Sequence, residues 1–238
     1  SYSKIIKFET SKIEVKDNGK KIIAKDGVEV ESDDGITIRA QEGIYDKESN
    51  ILKFLNDIKV NDNFNSINFI SDEIIYEKNK DLFQIIGKSR TNIKNKYFID
   101  SNNASYDRLK MEFFSEDLIE LQDILGNKIS GKEFKFSIND NIIKAKDLKI
   151  LDNKNNEYYL KNGIVNLNQD EFLGKDIKVN FDKSLFGNNE NDPRFVGKAL
   201  STNNMKTKIY KGAFTTCQKR ENEDCPAWAI YADEIEHD

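Results

Sequence analysis

An aromatic anchor returns at Tyr45, Tyr76, Tyr106 and Phe136, at intervals of 31, 30 and 30 residues. The text around the anchors rhymes as well. Ile38-Arg39-Ala40 leads to Ile44-Tyr45-Asp46, Ile67-Asn68-Phe69 to Ile75-Tyr76-Glu77, and Phe98-Ile99-Asp100 to Ser105-Tyr106-Asp107. A period of this length describes stacked supersecondary units, none of which can bury its apolar face alone. The repeat therefore favours one continuous body, although 238 residues would also accommodate two small domains.

Inside each unit the apolar residues alternate. Val28 and Val30, Ile36 with Ile38 and Ala40, Ile58 with Val60, Ile67 with Phe69, Phe134 with Phe136 and Ile138, and Ile177 with Val179 and Phe181 all have polar residues between them. Period two is the signature of half-buried strands. Asn, Asp and Gly punctuate the runs, as in Asp17-Asn18-Gly19, Asp33-Asp34-Gly35 and Asp152-Asn153-Lys154-Asn155-Asn156. These residues accept positive φ or bond their own backbone, so they make turns. Only the stretch from Asp117 to Leu125 has spacing compatible with a short helix, and there Ile119 and Leu121 also alternate. Between Gly187 and Asn204 the composition turns to Asn, Gly, Asp and Pro, which predicts a long loop.

The balance of 37% hydrophobic and 33% charged residues suits sheets with a wet outer face and sparse inner stocking. Aromatics at 11% argue against disorder. A net charge of −5 argues against a phosphate-backbone partner, which needs clustered Lys and Arg. Lys20-Lys21 is a local candidate for meeting lipid phosphates, with a solvated turn as its ordinary reading. No apolar run is long enough to span a bilayer as a helix, and no secretory leader is visible near Ser1.

Catalytic chemistry finds little support. One histidine, His237, stands next to the end, which leaves a Ser-His-Asp site or a His-rich metal site without components. Carboxylates occupy nearly every turn, so no pair of them is distinguished as an acid/base dyad. Asp33-Asp34-Gly35 resembles a fragment of a calcium loop but lacks the alternating ladder of oxygens. The chain is expected to be non-enzymatic, with no cofactor and no metal. Cys217 and Cys225 are either free thiols or a staple across a small loop. The inward face of the strands is the remaining candidate, with Ile38, Ile58, Val60, Phe69, Phe136 and Val179 on runs of clear parity. Such residues usually form plain core, yet sheets stocked this sparsely could leave a groove for acyl chains, worth about 0.8 kcal/mol per buried CH2.

The final segment reads Tyr210-Lys211-Gly212-Ala213-Phe214-Thr215-Thr216-Cys217, then Cys225-Pro226-Ala227-Trp228-Ala229-Ile230-Tyr231-Ala232, then Ile235-Glu236-His237-Asp238. It resembles the end of the periplasmic domain of the lipopolysaccharide-assembly outer-membrane family, LptD, with its G-x-x-T-T-C stretch, Trp strand and closing I-x-H-D. The repeats from about Ile5 to Phe181 resemble the OstA-like jellyroll shared by that family and the bridge proteins LptA and LptC.

The resemblance implies an all-β, V-shaped antiparallel β-jellyroll over residues 1–205. Residues 206–238 would be terminal strands carrying the cysteine pair and leading into an outer-membrane β-barrel. It also implies a periplasmic location, lipopolysaccharide as cargo with its lipid A acyl chains inside, an LptA-like bridge partner, and an LptE-like plug lipoprotein met through the barrel. Family members join the Thr-Thr-Cys cysteine to the barrel and carry another near the mature N-terminus; with Cys225 here instead, Cys217 is expected to pair with Cys225. Two other readings compete: a jellyroll adaptor that docks its neighbours by β-augmentation without lipid, and a glycan-binding β-solenoid, which would want aromatic platforms on an exposed face.

Overall fold

A computed structural model of the protein describes residues 6–169, 171–186, 191–203, 206–218 and 227–237. The chain is all-β, with 72% of the described residues in strands that pair antiparallel. It divides into two compact units, Ser1–Leu121 and Gln122–Asp238. The first unit contains β1 (Ile6–Lys16), β2 (Lys21–Ser32), β3 (Ile36–Ala40), β4 (Glu42–Asp46), β5 (Ile51–Asp62), β6 (Ile67–Glu77), β7 (Leu82–Ile93), β8 (Tyr97–Asp107) and β9 (Glu112–Ser115). At the junction lies β10 (Ile119–Asp123). The second unit follows with β11 (Lys128–Ser137), β12 (Ile142–Leu151), β13 (Glu157–Asn166), β14 (Glu171–Asn180), β15 (Arg194–Asn203), β16 (Lys206–Thr215) and β17 (Ile230–His237).

The long strands are bent in the middle. The ladder between β5 and β6 skips between Leu55 and Ile58, that between β6 and β7 between Ser71 and Glu73, and that between β7 and β8 between Ile85 and Lys88. At or beside these breaks, Asn56, Asp57, Gly87 and Asn103 take φ of 64°, 50°, 77° and 65°. Asn, Asp and Gly tolerate this left-handed conformation best, which is why the bends fall on them. Each bend works as a β-bulge that turns the second half of the strand back over the first. The second unit bends in the same way at Glu133, Asp147, Asp176 and Lys211.

In the first unit one half-sheet carries Leu52, Phe54, Ile74, Tyr76, Phe83, Ile85 and Tyr106 inward, and the other carries Val30, Ile38, Ile58, Val60, Phe69, Ile93 and Ile99. The two faces meet. Phe69 of one half packs edge-on against Phe83 and Tyr106 of the other, at 5.4 and 6.3 Å between centroids. Phe83 in turn stacks on Tyr76 at 4.3 Å. Fully burying each such ring stabilises by about 1.5–3 kcal/mol. Expected to be too sparsely stocked to close, the first unit closes because its inward positions hold large rings at Phe54, Phe69, Phe83, Tyr106 and Phe113. In the second unit, Tyr158 likewise meets Phe172 across the fold at 4.8 Å.

The aromatic repeat has a concrete structural meaning. Five residues after each anchor stands a left-handed turn residue: Asn50, Asp81, Met111 and Asn141, with φ between 52° and 54°. Tyr45 and Tyr76 donate their hydroxyls to Asn50 and Asp81 at 3.0 and 2.8 Å, so the anchor ties down its own turn.

Two local expectations are corrected. The stretch from Asp117 to Leu125 is not a helix: its centre, Ile119–Asp123, is β10, with Ile119 and Leu121 buried on one side, while Leu118 and Ile124 flank it exposed. Within the loop expected from Gly187 to Asn204, residues 194–203 form β15. Phe195 is buried there, against Phe181 and Phe214 at 5.3 and 4.5 Å, and that packing outweighs the loop-like composition before it.

Candidate functional site

All six residues expected to line a groove face an interior, and none is more than 1% exposed. They fall in both units. Ile38, Ile58, Val60 and Phe69 belong to the first unit, where Ile38 pairs with Val60 and Val60 with Phe69 across adjacent strands. Phe136 and Val179 belong to the second unit.

The side of the first unit away from the bends holds an arrangement the sequence reading missed. Arg108, in the turn after β8, is buried among three aspartates: Asp34 and Asp81 from two other turns and Asp62 from the end of β5. Its Nε donates to Asp62 at 2.8 Å, and its Nη1 donates to Asp34 at 2.7 Å and to both oxygens of Asp81 at 3.1 Å. Its Nη2 reaches the Asp34 carbonyl at 3.2 Å. Tyr106 and Tyr76 add hydroxyl bonds to Asp62 and Asp81 at 2.9 and 2.8 Å. Asp62 ends a strand of one half-sheet, while Asp81 and Arg108 lie in turns of the other. The cluster thus ties together the free lips of the folded sheet.

Electrostatics favour the charged forms of Arg108 and Asp62. Burial pulls the Arg108 guanidinium down, but hydrogen bonds to Asp62 and Asp34 outweigh it and hold its pKa above the ordinary arginine range. Burial raises the Asp62 carboxyl, and bonds from Arg108 and Asn65 more than offset that, leaving it below the usual carboxylate range. Tyr76 and Tyr106 are pushed well up, first by burial and then by the neighbouring Asp81 and Asp62 charges. A planar guanidinium spreads five donors over three nitrogens in fixed directions, whereas an ammonium offers three donors from a single nitrogen. Asp34, first noted as part of a calcium-like turn, is one of these arginine partners.

A signal for the cluster was present in the repeat. Tyr45-Asp46-Lys47 and Tyr76-Glu77-Lys78 place lysine after the anchor phrase, and Tyr106-Asp107-Arg108 places arginine there. Beside the cluster stand two exposed apolar side chains. Leu109 follows Arg108 directly, and Phe64, two residues after Asp62, lays its ring against Gly35. A Cβ at Gly35 would come within 2.7 Å of that ring, and its φ of +88° requires glycine as well.

The other candidates resolve differently. Lys20 and Lys21 pair with Glu48 and Asp17 at 2.6 and 3.4 Å on the surface. In the second unit an open depression of about 930 Å³ is lined by Asp176, Val196, Lys198, Lys211, Tyr231 and Asp233, with charges of both signs. The closing motif is built into a ladder: Phe214 pairs with Ile230, Gly212 with Ala232 and Ile209 with Ile235. Thr215 donates its hydroxyl to the Trp228 carbonyl at 2.7 Å, and the Cys217 amide donates to the Thr215 hydroxyl at 3.1 Å. Cys225, and with it the expected Cys217–Cys225 pair, lies outside the described residues. The side chain of His237 does too.

No protein-family model and no curated sequence matches the chain. Among solved structures, it is similar to LptH of Pseudomonas aeruginosa, described as the LptA-homologous periplasmic component of the conserved lipopolysaccharide transport device. The identity is 11%, the match covers 43% of this chain and 76% of that one, and the TM-score is 0.38, too slight a likeness to carry an argument.

Proposed function

We propose that the chain is the periplasmic part of an LptD-like lipopolysaccharide-assembly protein, a non-enzymatic jellyroll that takes lipopolysaccharide from an LptA-like bridge and passes it to an outer-membrane barrel. The observation that carries this reading is the pair of apolar half-sheets folded over one another, whose inward faces include Ile38, Ile58, Val60 and Phe69 in the first unit, with Phe136 and Val179 in the second. The closing motif from Gly212 to His237, laid out as paired β16 and β17, supports it through the resemblance already described. In this reading residues 206–238 lead towards the barrel and its LptE-like plug, the V-shape is the open form of the folded sheets, and Cys217 pairs with Cys225. Each acyl CH2 moved from water into the interior contributes about 0.8 kcal/mol, so binding needs no catalytic group.

A specific observation favours a second reading. The first unit's interior is closed by its own rings, and β1, at a sheet edge, exposes Ile13 and Val15. An adaptor that adds strands at its edges without carrying lipid would look the same. Capture of lipid A by the wild-type protein, lost in Phe69→Asp or Phe136→Asp variants that still melt cooperatively, is the outcome expected of a conduit. Undiminished capture in those folded variants would refute the assigned interior. Thiol titration of the denatured, non-reduced protein should find no free sulfhydryl; two free sulfhydryls would remove the cysteine pair.

A further inference from the structure

We infer that Arg108, with Asp34, Asp62 and Asp81, is a releasable latch that controls access to the interior of the first unit. The inference rests on the reading of that interior as an acyl-chain site. Along the bends the two half-sheets are joined covalently through every long strand, so they cannot part there. On the opposite side the strand ends and turns are separate pieces of chain, and Arg108 bonds three of them, at Asp34, Asp62 and Asp81. The core bonds are long-range in sequence, Arg108 reaching Asp34 and Asp62 across 74 and 46 residues.

An apolar seam would close this side permanently. An ionic one costs desolvation to close and regains hydration when it opens, so its two states lie nearer in free energy. The exposed Phe64 and Leu109 sit immediately beside the latch residues, where an acyl chain would first find apolar surface as the lips part. Opening between them would uncover Ile36, Ile67 and then the rings of Phe69 and Tyr106.

The test uses reporter cysteines in the whole chain, each compared with and without Arg108→Lys. Lysine keeps the charge but has one nitrogen in place of the separate Nε, Nη1 and Nη2 that Arg108 uses. Ile36 lies at the lips, paired with Asp62, and Ser101 lies by the bend at Asn103. Alkylation of the Ile36→Cys variant, followed by peptide mass spectrometry to separate the reporter from Cys217 and Cys225, should accelerate about tenfold or more with Arg108→Lys, as loss of charged hydrogen bonds implies. Alkylation of the Ser101→Cys variant should stay within about twofold, because its opening is not governed by the latch. Equal acceleration at both positions, or at neither, overturns the latch. Asp34→Asn, which removes the most exposed of the three carboxylates, gives the same comparison if Arg108→Lys fails to fold. A spin-labelled stearate added to the same proteins separates the two claims. Faster entry with Arg108→Lys is expected, whereas acceleration at the Ile36→Cys reporter with no stearate bound by either protein would overturn the acyl reading and leave the latch standing.

Discussion

The two units share a bent-strand plan and hold their turns in different ways. In the first, the buried charged residues Asp62, Asp81 and Arg108 concentrate the tie in one guanidinium that spans distant turns. In the second, the buried polar residues among those described are neutral: Asn156, Thr202 and Thr215. Its turns are held by a ladder of short-range bonds. Asp123 accepts from the Leu125 and Asn127 amides, Asp152 from the Lys154 and Asn156 amides, and Asp182 from the Ser184 amide. Asn127 and Asn156 then link one turn to the next by accepting from the amides of Asn153 and Asp182 at 2.9 and 3.0 Å. A distributed ladder of local bonds loses little when one rung goes. A single ionic hub loses its ties to all three aspartates at once, as the proposed latch requires.

The sharpest way to break this comparison is Arg108→Ala. It leaves three aspartates facing one another without their cation, two of them buried, and should cost about 3–5 kcal/mol. Hydrogen exchange read peptide by peptide in urea should show that loss over residues 6–121, with the second unit nearly unchanged. A loss shared equally by both units would contradict the division.

Next in size is Gly174→Ala. A Cβ there would overlap Leu160 Cδ2 and come within 3.0 Å of the Asn162 carbonyl oxygen. The overpacking should cost about 1–3 kcal/mol and be confined to the second unit, as thermal melting with the same exchange readout would show.

Asp152→Ala should cost less, about 1 kcal/mol, because only local turn bonds are lost. A loss as large as that of Arg108→Ala would mean the second unit also has a hub.

Acid provides a milder probe. Because Asp62 is held below the ordinary carboxylate value of about 4, its stabilisation is complete above that pH and is lost as the pH falls through its lowered folded value. The urea midpoint of the first unit should therefore drop faster than that of the second below about pH 4, and Asp62→Asn should narrow the difference.

Much of this architecture is legible in the sequence. Alternation at Ile36, Ile38 and Ala40, or at Ile67 and Phe69, names inward residues correctly because sheet geometry leaves two faces to choose from. The anchor period marks the left-handed turn residues five positions later. What alternation does not reveal is the mid-strand bend. A single chain reads as straight strands, and whether facing halves touch depends on ring volume summed over positions far apart. The Arg108 cluster was hidden for a different reason. Among 42 acidic residues, any three could be nominated, and only folding brings Asp34, Asp62 and Asp81 to one point. Similarly, β15 was hidden by the Asn-rich stretch leading into it, although Phe195 and Leu200 both needed burial.

The central claim is that the folded apolar interior carries acyl chains, and native mass spectrometry of the protein expressed in a Gram-negative host tests it most directly. The predicted result is a stoichiometric bound mass that extraction identifies as lipopolysaccharide or lipid A. A bare protein that also fails to take up added lipopolysaccharide would contradict the claim and favour the adaptor.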